Sequence, residues 1–129
     1  MKQFILMVAV VALVGCGATI FDLTDPNQAV IEWEIRRERL KPTGELTKAD
    51  LEKVVVLDYL VYKKLTNVKG LEKLTQLIAL DLTGNQLTDV KGLGKLTKLK
   101  VLSLSLNKLT DVKGLEKLTQ LEILSLDNN

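Results

Sequence analysis

The 129-residue chain has no histidine, one cysteine, two prolines and five aromatic residues. Without histidine it lacks the commonest general base and the commonest zinc ligand. A lone cysteine excludes an intrachain disulfide and leaves an intermolecular bridge, a free thiol or a modified side chain. Gly70, Gly92 and Gly114 recur at a fixed interval and do not spell the G-x-x-x-x-G-K phosphate loop. No nucleophile and base converge, so the composition predicts no enzyme, no cofactor and no metal site. A net charge of +2 gives no average field for nucleic acid. The longest unbroken apolar run, residues 4–14, is too short to span a bilayer as a helix.

What the chain does have is a period. Residues 65–86, 87–108 and 109–129 are three copies of one segment, each opening L-T-[ND]-V-K-G-L, and the last two agree at 15 of 21 aligned positions. A 22-residue repeat is the signature of a solenoid. Within each copy the spacing L-x-x-L-x-L turns leucines inward: Leu77, Leu80 and Leu82, then Leu99, Leu102 and Leu104, then Leu121, Leu124 and Leu126. Leu71 and Leu74, with their equivalents, complete the coil's interior. This is the leucine-rich-repeat pattern, and the 22-residue form headed by L-T-D-V, over residues 46–129, resembles the repeats of bacterial internalins. The resemblance implies a short parallel strand on a concave face and a 3₁₀ or irregular segment opposite. The expected fold is therefore an α/β repeat: a short leucine-rich-repeat solenoid with parallel strands on the concave face and an N-terminal helical cap.

The cap is expected over residues 26–53. Asp25 reads as an N-cap, Pro26 as the first helical residue and Gln28 as the return arm of a capping box, with the helix running to about Leu40. Val30, Trp33 and Leu40, with Ile31 and Ile35 adjoining, form its apolar side; Glu32, Glu34, Arg36, Arg37, Glu38 and Arg39 read as solvated. Thr47 and Asp50 mark a second helical start. Residues 54–64 form an imperfect copy, in which Val54, Leu57 and Tyr59 keep the inward spacing, one residue is extra, and Lys63 and Lys64 replace the terminal asparagine. At the other end Leu115, Leu118, Leu121, Leu124 and Leu126 face where a further coil would stack, which predicts either self-association through an uncapped end or, as the preferred expectation, a chain truncated at its C-terminus.

Residues 1–15 read as a leader: Lys2, the apolar run, then small residues. Leu13-Val14-Gly15-Cys16 resembles the lipobox of bacterial lipoproteins, which implies acylation of Cys16, a tether over residues 16–25 that reaches about 30 Å at most, and a protein held to the membrane without spanning it. Gly17 after the cysteine, where aspartate would favour inner-membrane retention, implies the outer membrane.

Asn85, Asn107 and Asn129 follow the strands and read as amides that satisfy backbone groups between coils. Thr66, Thr88 and Thr110, with Asn67, Asp89 and Asp111, read as turn formers. A partner would meet the outward strand positions: Val56, Ala79, Val101 and Ile123 in an apolar column, Asp58, Asp81, Ser103 and Ser125 in a small or acidic one, and Val55, Ile78, Lys100 and Glu122 in a mixed one. Lys69, Lys91 and Lys113, and Lys73, Lys95 and Lys117, form two rows on the opposite flank, read as solvated or as resting on anionic headgroups. The expected function is that of a lipid-anchored cell-envelope protein mediating protein–protein interaction through its concave sheet. The alternative is a structural envelope component, or a non-binding fragment of a longer repeat protein.

Overall fold

A computed structural model describes residues 20–129. The leader and Cys16 lie outside the described residues. The sequence folds as a leucine-rich-repeat solenoid: helix α1 (Pro26–Glu38) and the short helix α2 (Lys48–Glu52) precede strands β1 (Val56–Leu57), β2 (Ala79–Asp81), β3 (Val101–Ser103) and β4 (Ile123–Ser125). The strands pair in parallel in the order β1-β2-β3-β4. Opposite them lie 3₁₀ turns at Leu71–Lys73, Lys91–Lys95 and Leu115–Lys117.

Each coil closes around its own leucines because their spacing places them inside at every turn of the path. Leu87, Leu93, Leu96, Leu99, Leu102 and Leu104 are all at 0% exposure in the middle coil. Removing one such side chain costs roughly 2–5 kcal/mol in a packed core. In the last coil Leu109, Leu115 and Leu118 stay buried, while Leu124, the equivalent of Leu102, is 40% exposed.

Between coils the asparagines act as bridges. The Asn107 amide nitrogen donates to the carbonyls of Leu82 (2.9 Å) and Leu104 (3.0 Å), while its oxygen accepts from the Leu87 N–H (3.0 Å). Asn85 repeats this with Leu60, Leu82 and Leu65, and accepts a further bond from the Lys63 N–H. Asn129 does so with Leu104, Leu126 and Leu109. The residue before each bridge is left-handed, at Gly84, Leu106 and Asn128, as is the equivalent Tyr62 of the imperfect copy. Gly84 is needed there for a second reason: a Cβ would sit 2.2 Å from a ring carbon of Tyr62, which lies across it.

The N-terminal helices depart from the expected face. Glu32 and Glu34 are buried at 3% and 0% exposure, not solvated. Glu32 is matched by Arg36 at 2.7 Å, and Glu34 by Lys63 at 2.9 Å and Arg37 at 3.4 Å. Leu40, expected inward, is exposed because it occupies the left-handed position after the helix (φ 50°). The Leu40 N–H bonds the Arg37 carbonyl and the Lys41 N–H the Arg36 carbonyl, a Schellman ending that does not use glycine. Asp25 caps the helix through the Asn27 N–H, but Gln28 does not close a capping box; its oxygen takes the Asp22 N–H, since the Asp25 N–H already bonds the Asp22 carbonyl. Asn27, which sequence patterning left unassigned, locks the helix to the first full coil by accepting the Thr66 N–H at 2.8 Å.

In the imperfect copy the extra residue falls between Leu57 and Leu60. Leu60 is fully buried in the place of Leu82, and Tyr59, expected inward, is 44% exposed.

The second cap, by contrast, is a reciprocal box between Thr47 and Asp50. Lys41 donates to Asp50 at 2.7 Å, and the Thr47 backbone N–H and hydroxyl add two further bonds. Together, Lys41 first, they hold the Asp50 carboxyl well below the usual carboxylate range. A depressed folded-state pKa stabilises above the unfolded value, near 3.8, and that stabilisation is lost as pH falls below it.

Urea midpoints should fall as the pH drops from about 5 to about 2, and Asp50→Asn should flatten that slope while lowering the midpoint at neutral pH. Asn107→Ala strands the Leu87 N–H and takes one of two donors from each of the Leu82 and Leu104 carbonyls, which keep Asn85 and Asn129; it should cost about 2 kcal/mol in urea unfolding, against under about 1 kcal/mol for the exposed Asn129→Ala.

Candidate partner-binding surface

The parallel register sets the outward strand positions in straight rows. Val56 stands opposite Ala79, Ala79 opposite Val101 and Val101 opposite Ile123. Val56 is 40% and Ile123 56% exposed, and Ala79 and Val101 between them are half-buried. Asp81, Ser103 and Ser125 form a second row in the same register. Asp58 follows β1 just beyond its last paired residue and is exposed.

One residue earlier in each coil, Ile78, Lys100 and Glu122 are stacked by a backbone ladder. The Lys100 N–H bonds the Ile78 carbonyl and the Glu122 N–H the Lys100 carbonyl, each at 2.8 Å. Lys100 and Glu122 then pair at 3.2 Å, half-exposed, and so neutralise each other at little net gain. Asp81 accepts the Thr83 N–H at 2.9 Å, which fixes its carboxylate at the strand's end. The face is thus an apolar stripe with small polar groups along one side and a neutral ion pair on the other.

At its N-terminal end the surface changes character. The Arg37 guanidinium lies 4.2 Å from the ring centroid of Tyr59 and 5.7 Å from that of Trp33. Lys63 lies 5.3 Å from the Trp33 ring while reaching Glu34 beneath. Tyr62, two-thirds exposed, covers Gly84 nearby. Sequence patterning missed this group, although the signal was present: the extra residue in the imperfect copy gives two residues, Asp58 and Tyr59, between inward leucines where other copies have one. Tyrosine, tryptophan and arginine are the side chains that most often dominate binding energy.

The asparagine ladder belongs to the interior, as its bonds to backbone groups demonstrate. Asn67, Asp89 and Asp111 accept the backbone N–H two residues on, at 3.0, 3.2 and 2.9 Å, and act as turn formers. Among the described residues no group of three histidine, cysteine or carboxylate side chains is arranged to hold a metal ion. Nor is any helix among them long and apolar enough to cross a membrane.

A family model described as leucine rich repeats (2 copies) matches residues 97–129. The structure of an internalin of Listeria monocytogenes, InlF, superimposes with a TM-score of 0.70 at 37% identity, over 76% of this chain and 29% of that one. The functional domain of InlJ from the same organism, which includes a cysteine ladder, gives 0.65 at 28% identity, over 84% of this chain and 22% of that one. The chain therefore spans less than a third of either internalin's length. No curated protein sequence matches it. Repeat period, parallel register and these likenesses together make the chain a short leucine-rich-repeat solenoid similar to bacterial internalins.

Proposed function

We propose that this is an exported, lipid-anchored protein of the bacterial cell envelope that binds a protein partner through the concave face of its sheet. The observation that carries the reading is the in-register apolar row Val56, Ala79, Val101 and Ile123, left open to solvent and flanked at one end by Arg37, Tyr59 and Tyr62. A rigid sheet presents such a row without ordering cost, because the coils that hold it are already fixed by buried leucines. The aromatic and guanidinium groups supply anchors, and the aliphatic row supplies complementarity and excludes water. Asp58, Asp81, Ser103 and Ser125 on one side, and the mixed row Ile78, Lys100 and Glu122 on the other, form its surroundings and set the partner's register.

The anchor is supported by the leader and by the lipobox-like Leu13-Val14-Gly15-Cys16. Two or more acyl chains on Cys16 would hold the domain stably, at about 0.8 kcal/mol per buried methylene. Gly17 favours the outer membrane in a diderm host.

The test has two arms. Intact mass and detergent-phase partitioning of the full chain, beside Cys16→Ala, should show acylation that the variant lacks; a soluble product retaining residues 1–15 would overturn the anchor. In-cell photo-crosslinking from Val101 should recover a specific protein. Ala79→Trp should abolish that product while changing stability by less than about 0.5 kcal/mol, as an outward substitution does. Crosslinking indifferent to Ala79→Trp would remove the concave face as the binding surface and leave a purely structural role.

A further inference from the structure

The flank opposite the strands carries an unusual charge balance. Residues 66–76, 88–98 and 110–120 contain seven lysines against four carboxylates. All four carboxylates are engaged by the backbone: Glu72 and Glu116 accept the N–H of Gly70 and Gly114 at 2.7 and 2.6 Å, and Asp89 and Asp111 accept those of Lys91 and Lys113. Lys69, Lys91, Lys95, Lys113 and Lys117 form no ion pair among the described residues. The carboxylates are tied to the backbone, Asp89, Asp111 and Glu116 remaining exposed, and these five lysines stand exposed beside them.

The middle coil sharpens this asymmetry. Gly94 stands where its neighbours have Glu72 and Glu116, and Lys98 where they have Gln76 and Gln120. A Cβ at Gly94 would lie 2.9 Å from the Gly114 carbonyl oxygen, so the close approach of the third coil excludes a side chain there. Losing that carboxylate leaves a shallow depression of about 420 Å³ with Lys69, Lys91, Lys95 and Lys117 around it, and with Glu72 and Asp89 at its edge.

The chain also enters the domain on this flank. The Lys73 ammonium, expected in a solvated row, donates to the Ile20 carbonyl and lies 4.7 Å from the Phe21 ring centroid. Phe21 is buried against Gly70, at the start of the first 3₁₀ turn. Cys16 precedes Ile20 by four residues, a contour of at most about 14 Å.

We infer that the lysine flank sits on the anionic headgroups of the bilayer that holds the lipid anchor, with a headgroup phosphate in the depression on the middle coil and the concave sheet turned away from the membrane. The inference rests on the anchor at Cys16 proposed above. A leash about 14 Å long brings the flank to within one or two Debye lengths, each about 8 Å, of the surface. Each lysine near an anionic leaflet strengthens association about fivefold, so a net excess of three gives on the order of a hundredfold. Lysine ammoniums suit a headgroup phosphate as mobile point charges that need no fixed bidentate geometry. The two ends of the argument meet in one orientation: the flank nearest the anchor is the one whose charge the leaflet attracts.

The test uses the full chain, purified with its anchor and reconstituted on phosphatidylcholine vesicles or on vesicles with roughly one third phosphatidylglycerol. Lysine acetylation is then read residue by residue by mass spectrometry. On anionic vesicles Lys91, Lys95 and Lys117 should label about tenfold more slowly than on neutral ones, with Lys100 on the strand side unchanged and the protection lost in about 1 M salt. Lys95→Glu together with Lys117→Glu should restore labelling of Lys91; neither lysine is in an ion pair among the described residues, so the coil should fold as before. A chain that floats with both vesicles and labels Lys91 and Lys100 alike overturns the orientation alone. A chain that floats with neither overturns the anchor as well.

Discussion

Everything in this molecule depends on coils stacking at one common rise. A strand of two or three residues has too few ladder bonds to hold a sheet, so the bonds that fix the stack are those at its corners. Each asparagine amide spans two coils: its nitrogen donates to the carbonyls at its own strand end and in the coil before, and its oxygen accepts the N–H of the leucine that begins its own repeat. Because the coil interior is dry, an amide that misses these partners leaves several polar groups unsatisfied at once. That penalty enforces the 22-residue period more strictly than the leucines do, since an aliphatic core tolerates a change of shape better than a buried carbonyl tolerates a missing donor.

The same constraint separates the two surfaces. Once corners and leucines are fixed, the outward strand positions and the outward positions near the 3₁₀ turns are free to carry different chemistry. The strand side is aliphatic with a neutralised ion pair, and the turn side is basic with its carboxylates folded back. Glu72 and Glu116 also shape the backbone: by accepting the Gly70 and Gly114 N–H groups they accompany left-handed glycines at φ 100° and 101°. The middle coil has no carboxylate at Gly94, and its 3₁₀ segment begins earlier and runs through Gly92. A single departure from the repeat thus alters charge, backbone and surface relief together.

These relations explain what could be read from the sequence. The period, the inward leucines, the parallel sheet and the asparagine bridges were legible because each recurs, and recurrence averages out local exceptions. The concave rows were legible as positions, since register follows from period. The helical cap was only half legible. Patterning assigns Glu32 and Glu34 to solvent by residue type alone; their burial depends on Arg36 one turn away and on Lys63, twenty-nine residues further along the chain. Leu40 reads as apolar and inward, but the helix ends at Glu38 and Leu40 itself takes the left-handed turn. Tyr59 reads as inward on the repeat spacing, but one extra residue shifts Leu60 into that place. Lys73 matches its solvated equivalents in sequence and differs only because the incoming chain crosses it. In every case the deciding feature occurs once and does not recur with the period.

The buried Glu34 shows how such a single contact places the candidate binding surface. A carboxylate at 0% exposure, held by Lys63 at 2.9 Å and Arg37 at 3.4 Å, gains little net stability, because desolvation offsets the attraction. Its consequence is geometric. Rotating α1 about its axis, or sliding it along β1, would keep Arg37, which lies on the same helix, but take Lys63 from a fully buried carboxylate, which costs more than the pair is worth. The Lys63 contact therefore favours one seat of the helix against the first coil. In that seat Arg37 is carried over Tyr59 and Lys63 over Trp33. The cap does more than cover the exposed leucines of the first coil: through one buried charge it sets aromatic and cationic groups at the end of an otherwise aliphatic sheet. A partner bound along the row from Val56 to Ile123 would meet them at the end where the cap begins.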